Sequence, residues 1–323
     1  MKELEDANQQ AFPVDLSFTD ERLDKYLTAI YKNQSRSFFQ KLIKEQQVLV
    51  NGIPQKANFR LNVDDTVSVT IPKAQEIAIL PEPIALDILY EDSDLLIVNK
   101  PKGMVVHPSA GHYTGTLVNA VMYHCKDSLS GINGQIRPGI VHRIDMDTTG
   151  ALIICKNDNA HLNIASQLRE HSTIRRYRGI VNGYVAKSTG KVEGPIGRHP
   201  IDRKKMSINE KHGKSAITHY QVLERFSKHT YMEFQLETGR THQIRVHMAS
   251  IGHPLLGDAL YGNGAKIPRA FDLQTSGPGI LVSHLQGQTL HAMVIGFIHP
   301  TSNAYIEITA PLPTYFLELL TKL

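Results

Sequence analysis

The segment VHRIDMDTTG, residues 141–150, holds the side chains of this chain that are best suited to chemistry. Asp145 lies there between two apolar, strand-like stretches, and Thr148, Thr149 and Gly150 follow it. A carboxylate in a loop that strands hold in place can be fixed in position, as a nucleophile must be. Aspartates in loops are more often turn formers or helix caps. The segment alone therefore leaves both interpretations open.

Asp147 is the obvious candidate for a second carboxylate. Retaining glycosidases use two carboxylates at a set distance, one of them as an acid. Two residues along a loop define no common face, however, so we expect Asp147 to be structural.

Motifs for metals and nucleotides are missing from the sequence. There are 16 histidines, but His242 and His247 are five residues apart, which suits one helical face poorly, and no HExxH or paired Cys/His motif occurs. Neither a GxxxxGK[ST] loop nor a GxGxxG motif after a strand is present. We expect no metal site and no cofactor.

Short strands alternate with helices from Ile88 onward. The strand-like stretches are LLIVNKP, RPGIVHRI (running into the loop), GALIICK, RYRGIVNGY and TYMEFQLETG. Residues 158–170 have helical spacing, as does RTHQIRVHMASIG, where Ile244, His247, Met248 and Ile251 would share one face. This order predicts an α+β domain built around a mixed, largely antiparallel sheet.

Residues 20–73 predict a small α/β unit of two helices followed by short strands. Ser35 is a good N-cap for the second helix, and Asn51-Gly52 predicts a tight turn between strands. The apolar helix faces would be Leu23, Tyr26, Leu27 and Ile30, then Phe39, Leu42 and Ile43. Alternation in DDTVSVTIP predicts a later strand.

Prolines at positions 72, 81 and 83 interrupt helix and strand alike and suggest a domain boundary. We therefore divide the chain into a flexible N-terminus (1–19), the small unit (20–73), a linker (74–87) and a larger catalytic domain (88–323).

The composition permits a polyanionic partner without requiring one, because 35 Lys and Arg oppose 31 Asp and Glu for a net charge of +4. The two cysteines, Cys125 and Cys155, form no CxxC motif. Neither a signal-peptide pattern nor a run of roughly 18 apolar residues occurs. We expect a cytoplasmic protein with no membrane partner, and a monomer.

The stretches RLDKYL, SRSFFQKLI, VLVNG and DDTVSV resemble, in order and spacing, the alpha-L RNA-binding motif of a small-subunit ribosomal protein and several RNA-modifying enzymes. Gln46 stands where that motif usually has glycine. The resemblance implies that Arg36 and Lys41 face RNA phosphates, and such contacts position a protein without reading sequence.

Further motifs follow in order: GMVVHP, RPGIVHRIDMDTTG, RRYRGIVNG, GRHPIDRKKM, LETGRTHQIRVHMASIGHPLLGD and TLHAMVIGFIHP. Over residues 20–315 the chain resembles the RluA/RluD-type large-subunit ribosomal RNA pseudouridine synthases, and the RluD-like group in particular. That resemblance implies an isomerase that breaks the bond from uracil nitrogen to the anomeric carbon, turns the base and rejoins it through carbon 5. Its partner would be large-subunit ribosomal RNA or a ribosome assembly precursor.

The resemblance also implies roles for single residues. Asp145 would be the catalytic carboxylate, adding to the anomeric carbon or removing a sugar proton. Arg245 would pair with it, and Tyr177 would stack on the uracil and join proton handling. A uridine must leave its stack to be reached, and Arg143 resembles a residue that fills the vacated space.

Other features stay open from the sequence. Arg240 and His242 could contact phosphate or cap the helix. The stretch 197–214 reads as a basic loop in which Arg203 and Lys204 would meet RNA, and a merely solvated loop is nearly as plausible. The rival functions are an RNA-binding protein with a vestigial catalytic domain and a hydrolytic glycosylase that releases uracil.

Overall fold

The computed structural model describes residues 8–31, 34–71, 79–109, 111–126, 128–132, 138–262, 285 and 287–323. The chain divides into two compact units, Met1–Ile77 and Ala78–Leu323. None of the helices in the described part of the chain combines the length and the apolar character that a membrane crossing needs.

The first unit has two helices, α1 (Leu23–Ile30) and α2 (Arg36–Lys44), and one antiparallel sheet. The sheet has the order β1-β4-β2-β3, and its strands are β1 (Asn8–Pro13), β2 (Val48–Val50), β3 (Ile53–Pro54) and β4 (Thr66–Ile71). The predicted helices and hairpin are confirmed. The apolar faces of both helices form a single core with β2 and β4.

Local signals in this unit work as expected. The Ser35 hydroxyl accepts from the Phe38 N–H and caps α2. Asn51 and Gly52 turn the chain with φ of 52° and 78°. Gln46 has a φ of 57°, so it adopts the left-handed conformation that glycine accepts without strain.

Strand β1 lies in the segment that the sequence assigned to a flexible N-terminus. Residues Asn8–Pro13 pair with β4 in an antiparallel register that runs from Asn8 opposite Ile71 to Pro13 opposite Thr66. The polar stretch NQQ gives no apolar alternation, so a pattern search misses it. Backbone hydrogen bonds to β4 hold this strand instead.

Asp24 is a buried carboxylate on the otherwise apolar face of α1. It accepts hydrogen bonds from Arg22 (3.0 and 3.1 Å), Arg36 (3.0 Å) and Gln40 (2.7 Å). Burial by itself raises the pKa of Asp24, but the hydrogen bonds from Arg22, Gln40 and Arg36 outweigh burial and lower it to about 2. Arg36, expected to face RNA, is therefore held in place by α1 while about half of its side chain stays buried.

In the second unit, a nine-stranded sheet has the order β5-β6-β7-β14-β8-β13-β12-β9, with β15 also paired to β14. Its strands are β5 (Ile88–Glu91), β6 (Leu95–Lys100), β7 (Thr149–Cys155), β8 (Ile174–Asn182), β9 (Thr189–Glu193), β12 (Ile217–Arg225), β13 (His229–Leu236), β14 (Leu290–Ile298) and β15 (Tyr305–Thr309). A separate hairpin joins β10 (Ile196–Arg198) to β11 (Met206–Ile208). In the described part of the sheet β14 pairs parallel with β7, and the other pairs are antiparallel. The predicted fold class is confirmed.

Helices cover both faces of this sheet. They are α3 (Leu117–Cys125), α4 (Asp158–Arg169), α5 (Gln243–Ser250) and α6 (Thr314–Lys322). Leu152 and Ile154 of β7 enter the core that contains α3 and α5, whereas Ile153 enters the core that contains α4. Burial on both faces explains why β7 is apolar from Gly150 to Cys155.

Three expectations about this unit need correction. The described residues of RPGIVHRI, 138–144, form no strand: Ile140 makes a single bridge to Ile154, because the Ile153 N–H bonds to the His142 ring instead (3.0 Å). The basic loop at 197–214 is largely the β10–β11 hairpin. Helix α5 ends before Ile251, which is 41% exposed. Residues Gln243–Met248 of this helix are all buried, because the helix packs on two sides: Ile244 lies in one apolar cluster and Val246 lies in another.

Residues 74–78 of the expected linker lie outside the described residues. The following part attaches to the second unit, since Asn119 donates to the Leu80 carbonyl (2.8 Å) and both Ile79 and Leu86 pack against the core.

Replacing Asp24 with Asn should destabilise the first unit by about 2 kcal/mol, because a charged acceptor of two arginines is lost. The pKa of about 2 lies below the usual 3.8, so this stabilisation is complete above about pH 4 and is lost as the pH falls through about 2. Hydrogen exchange of the α1 and α2 amides measures it. Asp64→Asn, at an exposed turn, is the control, and equal protection in both variants would contradict the role of Asp24.

Candidate active site

Asp145 lies in a loop whose backbone is held by backbone hydrogen bonds and by one lysine side chain. The Asp145 carbonyl accepts from the Thr148 N–H (3.0 Å), which closes a turn. The next carbonyl, of Met146, accepts from the Gly103 N–H (3.0 Å) and from the Lys100 ammonium (2.9 Å). These bonds fix the backbone on both sides of the carboxylate.

Lys100 is fully buried at the end of β6. Its ammonium donates to the carbonyls of Pro101 (2.7 Å), Met104 (2.9 Å) and Met146 (2.9 Å), which matches its three N–H donors. Burial lowers the pKa of Lys100 to about 7, against the opposite effect of Asp147 and Asp145. Lys100 was not among the residues predicted from the sequence, although a lysine that ends a buried apolar strand was a signal.

Arg245, on α5, joins Asp145 to a second carboxylate. Its Nη1 donates to Asp145 Oδ2 (2.9 Å), while Nε and Nη2 donate to the two oxygens of Asp258 (2.7 and 3.0 Å). Burial alone would lower the pKa of Arg245, but Asp258 and then Asp145 outweigh burial and raise it. The guanidinium therefore stays charged. It binds only Oδ2 of Asp145, so the other carboxylate oxygen, Oδ1, makes no hydrogen bond to Arg245.

Asp258 was missed from the sequence, where it ends the stretch HPLLGD. Its side chain is fully buried, and Oδ1 also accepts the N–H groups of Leu260 (3.0 Å) and Tyr261 (3.1 Å). The carboxylate is thus fixed by backbone donors before it orients Arg245.

His242 occupies the N-cap position of α5, but its side chain makes no capping hydrogen bond. Its backbone is left-handed, with φ of 58°, and its ring Nδ1 lies 2.7 Å from the Tyr261 hydroxyl. The other ring nitrogen, Nε2, lies 3.9 Å from Asp145 Oδ1. Tyr261 also stacks under Arg245, with the guanidinium carbon 5.0 Å from the ring centre, and accepts from the Met206 N–H (2.8 Å) of the hairpin.

Tyr177 is buried on β8, opposite Phe234 of β13. Burial raises the pKa of its hydroxyl, and the charge of Asp145 adds to this effect. A cavity of about 590 Å³ brings these groups together, and its walls include Arg143, Asp145, Arg175, Tyr177, Arg240 and Arg245.

Asp147 is not among the residues that line this cavity. Its carboxylate lies against Gly287, where any added Cβ would collide with it. Its charge raises the pKa of the buried lysines Lys100 and Lys102 against the effect of their burial.

The remaining predicted residues lie on the surface. Arg143 is exposed at the mouth of the cavity, and Arg240 donates to the Ser215 carbonyl (3.0 Å). Arg203 and Lys204 are exposed in the turn of the β10–β11 hairpin, and in the first unit Lys41 is exposed beside Glu45 (3.7 Å).

Among the described residues, Asp92, Asp94 and His299 form a group close enough to hold a metal ion. Their atoms are already engaged. Asp92 accepts from Tyr90, Leu95 and His299, Asp94 accepts from Asn157 and Thr301, and His299 Nδ1 accepts backbone N–H groups. The group fastens β5 and β6 to the turn between β14 and β15.

Comparison with known proteins finds related families, sequences and structures. Residues 94–250 match the family described as RNA pseudouridylate synthase, and residues 21–67 match the S4 domain. RNA pseudouridine synthase YlyB of Bacillus subtilis is 48% identical over 303 residues, 94% of this chain and 94% of that protein. The ribosomal large subunit pseudouridine synthase D of Pseudomonas aeruginosa is 39% identical over 323 residues, 99% of this chain and 97% of that protein.

The chain belongs to the RNA pseudouridylate synthase family. It is an isomerase of the RluA/RluD type, and its S4 domain indicates an RNA partner. The solved structure of human RNA pseudouridylate synthase domain containing 1 has the same fold, with a TM-score of 0.54 at 23% identity over 75% of this chain and 87% of that one.

Lys100→Met should lower the stability of this pseudouridine synthase by about 3 kcal/mol, because three carbonyls lose a charged donor, and of these Met146 alone keeps the Gly103 N–H as a second donor among the described residues. It should also slow catalysis at least about tenfold, since the loop that carries Asp145 loses its anchor. Chemical denaturation and single-turnover assays measure the two effects. Lys187→Met, at an exposed position, is the control. Wild-type stability in Lys100→Met would refute the anchoring role.

Proposed function

We propose that this enzyme converts specific uridines of large-subunit (23S) ribosomal RNA to pseudouridine, with Asp145 as the catalytic carboxylate. The observation that carries the proposal is the Asp145 carboxylate, held by Arg245 at 2.9 Å in the wall of a cavity that also contains Tyr177. Relatives named as ribosomal large subunit pseudouridine synthase D support the choice of RNA.

The reaction is an isomerisation. The bond from uracil N1 to the anomeric carbon breaks, a bond from C5 to that carbon forms, C5 loses a proton and N1 gains one. Asp145 either adds to the anomeric carbon or removes a sugar proton, and both routes need an ionised carboxylate with a free oxygen. Arg245 occupies Oδ2, whereas the His242 ring lies 3.9 Å from Oδ1, beyond hydrogen-bond distance.

Tyr177 fits a stacking and hydrogen-bonding role. Because burial raises its pKa, the hydroxyl holds its proton more firmly than an exposed tyrosine does. A neutral ring can stack on the uracil face and its hydroxyl can donate a hydrogen bond to the base, whereas removal of the C5 proton by a tyrosinate is disfavoured.

RNA would be held at three places that are rich in exposed cations. Arg143 stands at the mouth of the cavity, where it can fill the space that a flipped base leaves. Arg203 and Lys204 extend from the hairpin, and the S4 domain presents Arg36 and Lys41. A cytoplasmic location and a monomeric state remain predictions.

Cells that lack this protein should lose pseudouridine at specific 23S positions. Rescue with the wild type should restore them, and rescue with Asp145→Asn should not, with a rate loss of at least about 10⁴-fold for the purified variant. Asp147→Asn, two residues along the same loop, is the matched control. Pseudouridine mapping of all ribosomal and transfer RNA measures this. A full map in the Asp145→Asn cells would refute the mechanism, and an assay for free uracil separates isomerisation from hydrolysis.

Arg143→Ala should slow modification of a folded stem-loop at least about tenfold more than modification of a short flexible RNA. Only the folded substrate needs the vacated stack to be filled, and unstacking costs a few kcal/mol. Single-turnover rates on the two RNAs give the ratio. Equal slowing of both substrates would count against this role.

A further inference from the structure

Strand β8 carries arginines on both of its faces. On one face Arg176 pairs with Glu307 (2.9 Å) and Arg178 pairs with Glu233 (2.9 Å). Arg175 lies on the other face, two residues before Tyr177, and lines the same cavity. It makes no ion pair with any described residue.

Arg175 is nevertheless only 7% exposed. Its Nη2 donates to the Glu237 carbonyl (3.1 Å), and its Nε is buried without a hydrogen-bond partner in the described part of the chain. The absence of a side chain at Gly239 makes room for the guanidinium, since a Cβ there would lie 2.6 Å from Nη1. Burial lowers the pKa of Arg175.

A buried charge without a partner is costly, and structures normally compensate it. Arg245, the other buried arginine of the cavity wall, is compensated by two carboxylates. Arg175 therefore keeps unused donors and an unbalanced positive charge where the substrate must bind.

We propose that Arg175 is a further catalytic residue, which donates hydrogen bonds to a carbonyl oxygen of the target uracil and stabilises the negative charge that the base acquires as its glycosidic bond breaks. The inference deepens, and rests on, the proposed isomerisation. When the bond from the anomeric carbon to N1 breaks, its electron pair goes to N1 and is shared with O2 and O4. Arg175 stays protonated throughout. The charge disappears when C5 bonds to the anomeric carbon, C5 loses its proton and N1 takes one up.

The position of Arg175 favours the base over a phosphate as its partner. Tyr177, two residues along the same face of β8, and Asp145 border the same cavity, and the base is bonded directly to the carbon that Asp145 would attack. Phosphates of the RNA backbone stay at the cavity mouth, where the exposed Arg143 and Arg169 are available to them.

The test uses the full-length enzyme in excess over total RNA from cells that lack it, labelled with tritium at uracil C5. Each isomerisation releases one tritium. Arg175→Met should reduce the saturated single-turnover rate about 100-fold, as loss of an oxyanion-hole donor does, while RNA affinity changes less than about threefold. The single-turnover rate of Arg175→Lys should lie between those of the wild type and Arg175→Met, because lysine keeps the positive charge but lacks the paired N–H donors of a guanidinium. Arg176→Met, on the opposite face, should match the wild type.

Gly239→Ala is a second route to the same site, because it displaces the Arg175 guanidinium and keeps its charge, and it should also slow the saturated step. A wild-type rate in Arg175→Met overturns the proposal. So does weaker RNA binding with an unchanged saturated rate and a salt dependence reduced by about one charge, which identifies a phosphate contact. If Arg175→Met fails to fold, wild-type rates in both Arg175→Lys and Gly239→Ala overturn it. The labelled RNA contains every cellular substrate, so an error in the choice of 23S RNA leaves this comparison intact.

Discussion

The Arg245 guanidinium, shared between Asp145 and Asp258, is the interaction on which the rest of the site depends. Asp258 binds two nitrogens of the guanidinium and is itself held by backbone N–H groups. The direction of the third nitrogen, Nη1, is therefore fixed independently of Asp145. Buried ions lose their hydration, and that loss is offset only when their geometry and hydrogen bonds are complete. The position of the Asp145 carboxylate therefore follows from a helix that comes 100 residues later in the chain.

Several distant elements must agree for this arrangement to form. Gly150, just after the Asp145 loop, has a φ of 109° and lies so close to the backbone of Ala292 on β14 that a side chain has no room. Lys100 fixes the loop from β6, on the other side of β7. Tyr261 links Arg245 and His242 to the Met206 N–H of the β10–β11 hairpin. A shift of that hairpin would move Tyr261 and with it the His242 ring, whose Nε2 lies 3.9 Å from Asp145.

Features with local causes could be predicted from the sequence. Ser35 caps α2, and Asn51-Gly52 turns a hairpin, because each depends on the backbone beside it. Ordered motifs placed Asp145, Tyr177 and Arg245 among the candidates, and the structure brings all three to one cavity. Groups whose partners lie far along the chain were missed. Lys100 makes one of its three bonds to a carbonyl 46 residues away, and Asp258 acts from the segment after α5 on Arg245 of that helix, 13 residues earlier. Single-sequence periodicity carries no information about such pairs.

The two buried arginines of the cavity differ in what they can do. Arg245 is compensated by two carboxylates inside the protein, and it holds Asp145 in position. Arg175 pairs with no carboxylate in the part of the chain that the structure describes, and under our proposal its charge acts on the base. This division suits an isomerase in particular. A hydrolase can let the departing base go once the glycosidic bond breaks, whereas an isomerase must keep the base, let it turn and present a different atom to the same carbon. Hydrogen-bond donors that bind the uracil oxygens stabilise the negative charge of the base without binding N1. This matters because N1 must move away from the anomeric carbon as the base turns. Because an isomerase must hold the charged base while it turns, we expect the cation that serves the base to lie beside Tyr177, as Arg175 does, rather than beside Asp145.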